Sequence, residues 1–202
     1  MFFPTRPRSW SRPALAFYAL PFLLSSPLSL TGNSQDQSYS QEEALKVLRA
    51  IDRVTEEGEQ PAGGRLREVV ITESELNSYI AFRIESEKEE IMKELRLKLL
   101  DKNKIEGKIH IDLHGQRIPQ FIRPEMDIYF AASLRVSDGN VKIDIQQLFL
   151  EDQPIQLHLL DLIIAVSARL NNEKATSISD WYELPYGIKD IKTQAGKAAF
   201  YY

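Results

Sequence analysis

Leu95-Arg96-Leu97-Lys98-Leu99-Leu100-Asp101-Lys102-Asn103-Lys104-Ile105-Glu106-Gly107-Lys108-Ile109-His110-Ile111-Asp112-Leu113 is the stretch that decides the fold class. Leu95, Leu97 and Leu99, then Ile105, Ile109, Ile111 and Leu113, recur at every second position, the period of a strand with one covered face. Arg96, Lys98, Lys102, Lys104, Lys108 and His110 take the opposite parity. Asp101 to Lys104 supplies turn residues between the two runs. The stretch is therefore expected to be an antiparallel hairpin with one apolar and one basic face.

Toward the C-terminus, Gly115 to Pro124 contains two prolines and reads as a loop. Alternation resumes at Ile128, Phe130, Ala132, Leu134 and Val136, and Asp138-Gly139 marks a second hairpin turn. Val141, Ile143 and Ile145 form the return strand, and the unbroken Leu148-Phe149-Leu150 implies cover on both faces there. Beyond Pro154 comes the most apolar run after the N-terminal segment, Ile155 to Leu170, read as a helix. Interrupted by Gln156, His158, Asp161 and Ser167, it is too short to cross a membrane and must lie against protein or an apolar ligand. Trp181 to Ile188 reads as a turn, followed by a strand from Lys189 to Thr193, a turn at Ala195-Gly196 and a strand from Lys197 to Tyr202.

Toward the N-terminus, the charged run Glu85 to Lys93 is expected to be the solvated end of a helix. That helix carries Leu76, Tyr79, Ile80 and Ile84 on one face. Thr72 and Glu75 match a capping box at its start, and the strand Arg65 to Ile71 precedes it. Pro61-Ala62-Gly63-Gly64 is a break. Before it, Ser40 and Glu43 fit a second capping box, and Ala44, Leu45, Val47, Leu48, Ile51 and Val54 recur at helical spacing. Asn33 to Tyr39 is a polar lead.

The first residues read as an export signal. Arg6, Arg8 and Arg12 form a basic start, Ala14 to Leu24 an apolar zone of the ~7–15 residues such signals use, and Ser25 to Ser34 a small polar zone. Processing after Ser34 would release the protein into the periplasm or medium. Retention of residues 13–30 would instead anchor it to the membrane. Three parts are thus expected: residues 1–34 as signal or anchor, 35–64 as lead, amphipathic helix and linker, and 65–202 as one α+β domain.

The chain of 202 residues has no cysteine, which removes disulfides, thiolate metal sites and thiol nucleophiles. A formal charge of −4 argues against a general nucleic-acid binder. His110-x-Asp112-x-His114 is the sharpest metal candidate, yet residues two apart on a strand stand about 6.6 Å apart and spread rather than converge. His158 on the apolar helix reads as a partly buried, satisfied imidazole. Glu75 is explained by its cap and Glu73 by the helix dipole. Without a nucleophile elbow, phosphate loop or dinucleotide fingerprint, the expectation is a protein that is not an enzyme and carries no cofactor or metal. The basic hairpin face could meet anionic head groups at a membrane surface.

Val69-Val70-Ile71-Thr72-Glu73-Ser74-Glu75-Leu76-Asn77-Ser78-Tyr79, followed by hairpins, an apolar helix and Leu184-Pro185-Tyr186-Gly187-Ile188-Lys189-Asp190-Ile191, resembles the bacterial exported relatives of the tubular lipid-binding (TULIP-like) proteins. The resemblance covers residues 65–202. It implies a strongly curved antiparallel sheet wrapped on two or three helices, enclosing an apolar groove that binds lipid in the cell envelope. The groove would be lined by Leu97, Ile109, Ile111, Phe130, Leu134 and Ile143 of the sheet and by Leu159, Leu160, Ile163 and Ile164 of the helix. A domain this short could instead fill its groove with its own side chains and act as an envelope scaffold or protein-interaction module.

Overall fold

The computed structural model describes residues 39–58, 66–88, 91–116, 123–170, 176–185 and 187–202. The expected signal or anchor therefore lies outside the described residues. The fold is α+β, with three helices and a strongly curled antiparallel half-barrel sheet among those residues.

In chain order the elements are α1 (Gln41–Gly58), β1 (Glu68–Thr72), α2 (Glu73–Ser86), β2 (Met92–Leu100), β3 (Lys104–Asp112), β4 (Glu125–Ser137), β5 (Asn140–Leu150), β6 (Gln153–Pro154), α3 (Leu157–Leu170), β7 (Tyr182–Glu183), β8 (Asp190–Gln194) and β9 (Lys197–Tyr201). Strands β2-β3-β4-β5-β6 form one sheet in sequence order, with β7 also paired to β5, and β1-β9-β8 form a second. All pairings are antiparallel. Two register shifts, at Met92/Glu94 and at Ala131/Ala132, bend the large sheet, as bulges do.

The local signals act as their chemistry requires at α2. Thr72 Oγ1 accepts the Glu75 N–H at 3.2 Å, and the Glu75 carboxylate accepts the Thr72 N–H at 2.9 Å, closing the capping box. At α1 only half of the expected box forms. Ser40 Oγ accepts the Glu43 N–H at 3.3 Å, but the Glu43 carboxylate turns away to accept from Ser74 at 2.7 Å and Ser78 at 2.8 Å on α2. That carboxylate thus joins two helices, and Val47 and Val54 of α1 enter the same buried cluster as Ile71 and Tyr79.

Glu85 to Lys93 does not continue as helical surface. The helix ends at Ser86, where the Glu87 N–H caps Arg83, and β2 begins at Met92. The buried pair Ile91-Met92 explains the change, because both side chains enter the core, a demand that solvated helix cannot meet. Trp181 to Ile188 also differs from a plain turn, since Tyr182 and Glu183 pair with Val141 and Asn140 of β5.

The two sheets meet at one end. Gly196 donates its N–H to Leu99 O at 3.0 Å, and Thr193 Oγ1 donates to Leu100 O at 2.7 Å, so the β8–β9 hairpin sits on the end of the first hairpin. The core lies inside the curl, between the sheets and the inward faces of the three helices.

Candidate functional site

Nine of the ten residues expected to line an apolar groove belong to the core cluster or pack against it, the exception being Leu159, and the ten divide into two groups. Leu97, Ile111, Leu134, Leu160, Ile163 and Ile164 are buried within the core cluster, where they fill space rather than border it. Ile109, Phe130, Ile143 and Leu159 are half-buried. Helix α3 starts beyond Pro154, which pairs beside Phe149 at the end of β5, and the chain returns at Tyr182 beside Val141 at its start. Leu160, Ile163, Ile164 and Ala168 share the inner face of α3. Leu162 stands on the other side at 37% exposure, beside the exposed His158.

Asp161, an interruption in the sequence of α3, is an anchor in the structure. Its carboxylate accepts from the Ser177 hydroxyl at 3.1 Å and from the Ile178 N–H at 3.2 Å, tying the returning segment to the helix. Tyr182 donates its hydroxyl to Ser177 O. Burial raises the Tyr182 phenol above its ordinary value, and neighbouring Asp180 and Asp161 act in the same direction.

Inward positions Ile145, Leu150 and Leu157 are also half-buried against the core. Together with Ile109, Phe130 and Ile143 they form a band of apolar surface on β3, β4, β5 and α3 that the protein covers only in part. At the opposite end, under α1 and α2, packing is close. An apolar cavity of about 50 Å³ there borders Val47, Tyr79, Leu97, Ile105, Leu134 and Phe200. A lipid-sized site needs ~300–1,000 Å³, so that end holds no acyl chain.

Sequence reasoning missed a cleft of about 660 Å³ between α2 and β2. Several of its polar groups are committed to the protein itself. The Asn77 carboxamide donates to Leu97 O at 2.7 Å and accepts the Leu97 N–H at 2.8 Å, and Glu73 accepts the Leu99 N–H at 2.6 Å. Since β2 is the first strand of its sheet, these side chains stand in for a missing neighbour and close its edge. The spacing of Glu73 and Asn77, four apart on one helix face, was the available signal. At the mouth of the cleft Tyr39 donates to Glu85 at 2.7 Å, and burial followed by that carboxylate pushes its phenol well above the ordinary range. Hydrogen bonds from Ser74 and then Ser78 hold Glu43 below its usual carboxyl value.

Three cations of the basic face expected on the first hairpin are ion-paired. Lys98 pairs with Glu106 at 3.3 Å, Arg96 with Glu94 at 2.7 Å, and Lys108 with Asp127 at 3.1 Å and Glu94 at 3.4 Å. Parity placed the cations correctly; Glu94 and Glu106 lie in the same hairpin, whereas Asp127 arrives from β4.

His110 turns to Asp127 at 2.8 Å and His114 to Asp112 at 2.7 Å, so the three-residue metal candidate is split between two partners. Among the described residues no group of three or more His, Asp or Glu is placed to hold a metal ion. Burial opposes the charge on Asp127, but hydrogen bonds from His110 and Lys108 outweigh it and keep the carboxyl low. His158 is exposed rather than partly buried, because it falls on the outer side of α3.

No family model, curated protein or solved structure matches this chain. Functional reading therefore rests on the geometry. No helix among the described residues is long and apolar enough to cross a membrane. Ser74 and Ser78 donate to the Glu43 carboxylate, and His110 of β3 and His114 just beyond it face Asp127 and Asp112. The arrangement offers apolar surface and hydrogen-bonded seams.

Proposed function

We propose that this chain is a non-catalytic, exported envelope protein that holds a lipid or comparable apolar ligand along α3 and the concave side of β3, β4 and β5. The observation that carries the reading is the half-buried inward band, Ile109, Phe130, Ile143, Ile145 and Leu150, beside a predominantly apolar helix whose Leu162 is exposed. A one-sided sheet normally seals its apolar side, so partial cover there is what an acyl chain would complete. Each Å² of apolar surface it covered would contribute about 25 cal/mol. The resemblance of residues 65–202 to tubular lipid-binding proteins, and the basic-apolar-polar N-terminal segment, support the same reading.

Native mass spectrometry of protein extracted without detergent should find bound lipid. A Phe130→Trp reporter should change its fluorescence when the protein takes up fatty acid or phospholipid from vesicles. If the protein carries no lipid and takes none up, the reading fails.

A second reading, an envelope scaffold or protein-interaction module with a filled core, is favoured by one set of observations. Leu160, Ile163 and Ile164 are 4%, 3% and 2% exposed, so the inner face of α3 lies within the core cluster. Absence of lipid combined with capture of a protein through Leu159 and Leu162 would select it.

A further inference from the structure

The convex side of the large sheet carries a feature that the apolar band on the concave side does not use. In the paired register Lys108 stands beside Tyr129, Tyr129 beside Phe149, and Phe149 beside Pro154, which makes a row across β3, β4, β5 and β6. Tyr129 is 41% exposed, unusual for an aromatic on a face otherwise built from ion pairs. The next row on one side holds Ala131 and Gln147, of which Ala131 gives no height. On the other side stand Asp127, Glu151 and Asp152. The aromatic pair and these three carboxylates border an open depression of about 590 Å³.

Two of the three carboxylates around the shelf are already balanced. Asp127 is held by Lys108 at 3.1 Å and by His110 at 2.8 Å, and Arg123 donates to both oxygens of Glu151 at 2.8 Å. A basic peptide would find a single carboxylate, Asp152, with no cation on it among the described residues, and an anionic surface would meet all three. A neutral polyhydroxyl ligand fits better. Ion-paired carboxylates keep lone pairs for hydroxyl donors, and because their partners fix them, little ordering is lost on binding. The electron-rich faces of Tyr129 and Phe149 match the C–H face of a pyranose ring.

We propose that the Tyr129–Phe149 shelf, with Asp127, Glu151 and Asp152 at its rim, binds a neutral saccharide. The site lies on the opposite side of the sheet from the apolar band and stands or falls independently of lipid binding.

The test is calorimetric titration of the full chain with neutral oligomers of β-linked glucose, N-acetylglucosamine and mannose. At least one should bind saturably, and high salt should leave the affinity unchanged. Tyr129→Ala combined with Phe149→Ala should weaken binding about tenfold or more. Trp181→Ala, at another exposed aromatic, should not. Should the double variant fail to fold, Asp152→Asn supplies the same comparison on an exposed polar group. Failure of every oligomer to bind, binding indifferent to both variants, or salt-sensitive binding of a lysine-rich peptide at this shelf would overturn the proposal.

Discussion

Asn103 accepts the backbone N–H of Thr193 through its side-chain oxygen at 2.9 Å, across 90 positions of chain. Asn103 sits at the tip of the first hairpin with φ +58°, and Thr193 is 3% exposed in β8. Around this contact the backbone C=O of Asn103 accepts from Leu134 N–H at 2.7 Å, and the Asp101 carboxylate accepts from Ala195 N–H at 3.1 Å. A hairpin turn thereby becomes the clasp between two sheets.

Replacing Asn103 separates its two roles. Asn103→Gly keeps the left-handed backbone but strands the Thr193 N–H, at a cost of ~1–3 kcal/mol. Asn103→Asp keeps the acceptor and should lose less. Thr193→Val removes a hydroxyl whose bond runs to Leu100 O and should also destabilise by about 1–3 kcal/mol. Urea unfolding of the three variants checks the order.

Glu43 gives the protein a defined acid response. Its folded carboxyl lies below its ordinary value of 4.5, because Ser74 and then Ser78 donate to the charged form, with Lys46 assisting. A depressed folded value means that the contribution is present above the unfolded value and is lost as pH falls through the folded one. The urea midpoint of wild type should therefore exceed that of Glu43→Gln near neutrality, and the gap should narrow as pH drops below 4.5. A constant gap across that range would show that the charge is not what joins α1 to α2.

Gly107 is occupied space. A Cβ there would lie 2.3 Å from the Phe130 ring and 3.1 Å from Arg96 O, so the ring of β4 lies across the glycine of β3. Gly107→Ala should destabilise by about 1–3 kcal/mol through overpacking, with melting temperature as the readout. In combination with Phe130→Ala the added methyl should cost less than it does alone, since the obstructing ring is gone.

Asp161 should matter more than its place on an apolar helix indicates. Asp161→Ala frees the Ser177 hydroxyl and the Ile178 N–H at once and should destabilise by about 1–3 kcal/mol. Hydrogen exchange should rise first at Ile178, Asp180 and Tyr182, while β2 and β3 stay protected. Asp161→Asn, which keeps an acceptor, should recover part of the loss.

Much of the local architecture was legible in the residue order. The alternation of Leu95 to Leu113, the Asp138-Gly139 turn, the Thr72–Glu75 box and the apolar run after Pro154 each specify an element through contacts between near neighbours. Helical and strand periods, turn chemistry and caps are short-range, so a sequence can carry them without knowing its fold. The class, α+β with one-sided antiparallel strands, follows from the same features.

Only the tertiary structure decided how those elements use one another. Glu43, which could have returned to its own helix end, joins α2. Glu73 and Asn77 close the edge of β2, Asp127 neutralises a face whose parity looked basic, and six of the ten expected groove residues were drawn wholly into the core. The reason is common to all four. Burial and pairing depend on which surface arrives from far along the chain, and residues such as Thr193 and Asn103 meet only after the sheet has curled.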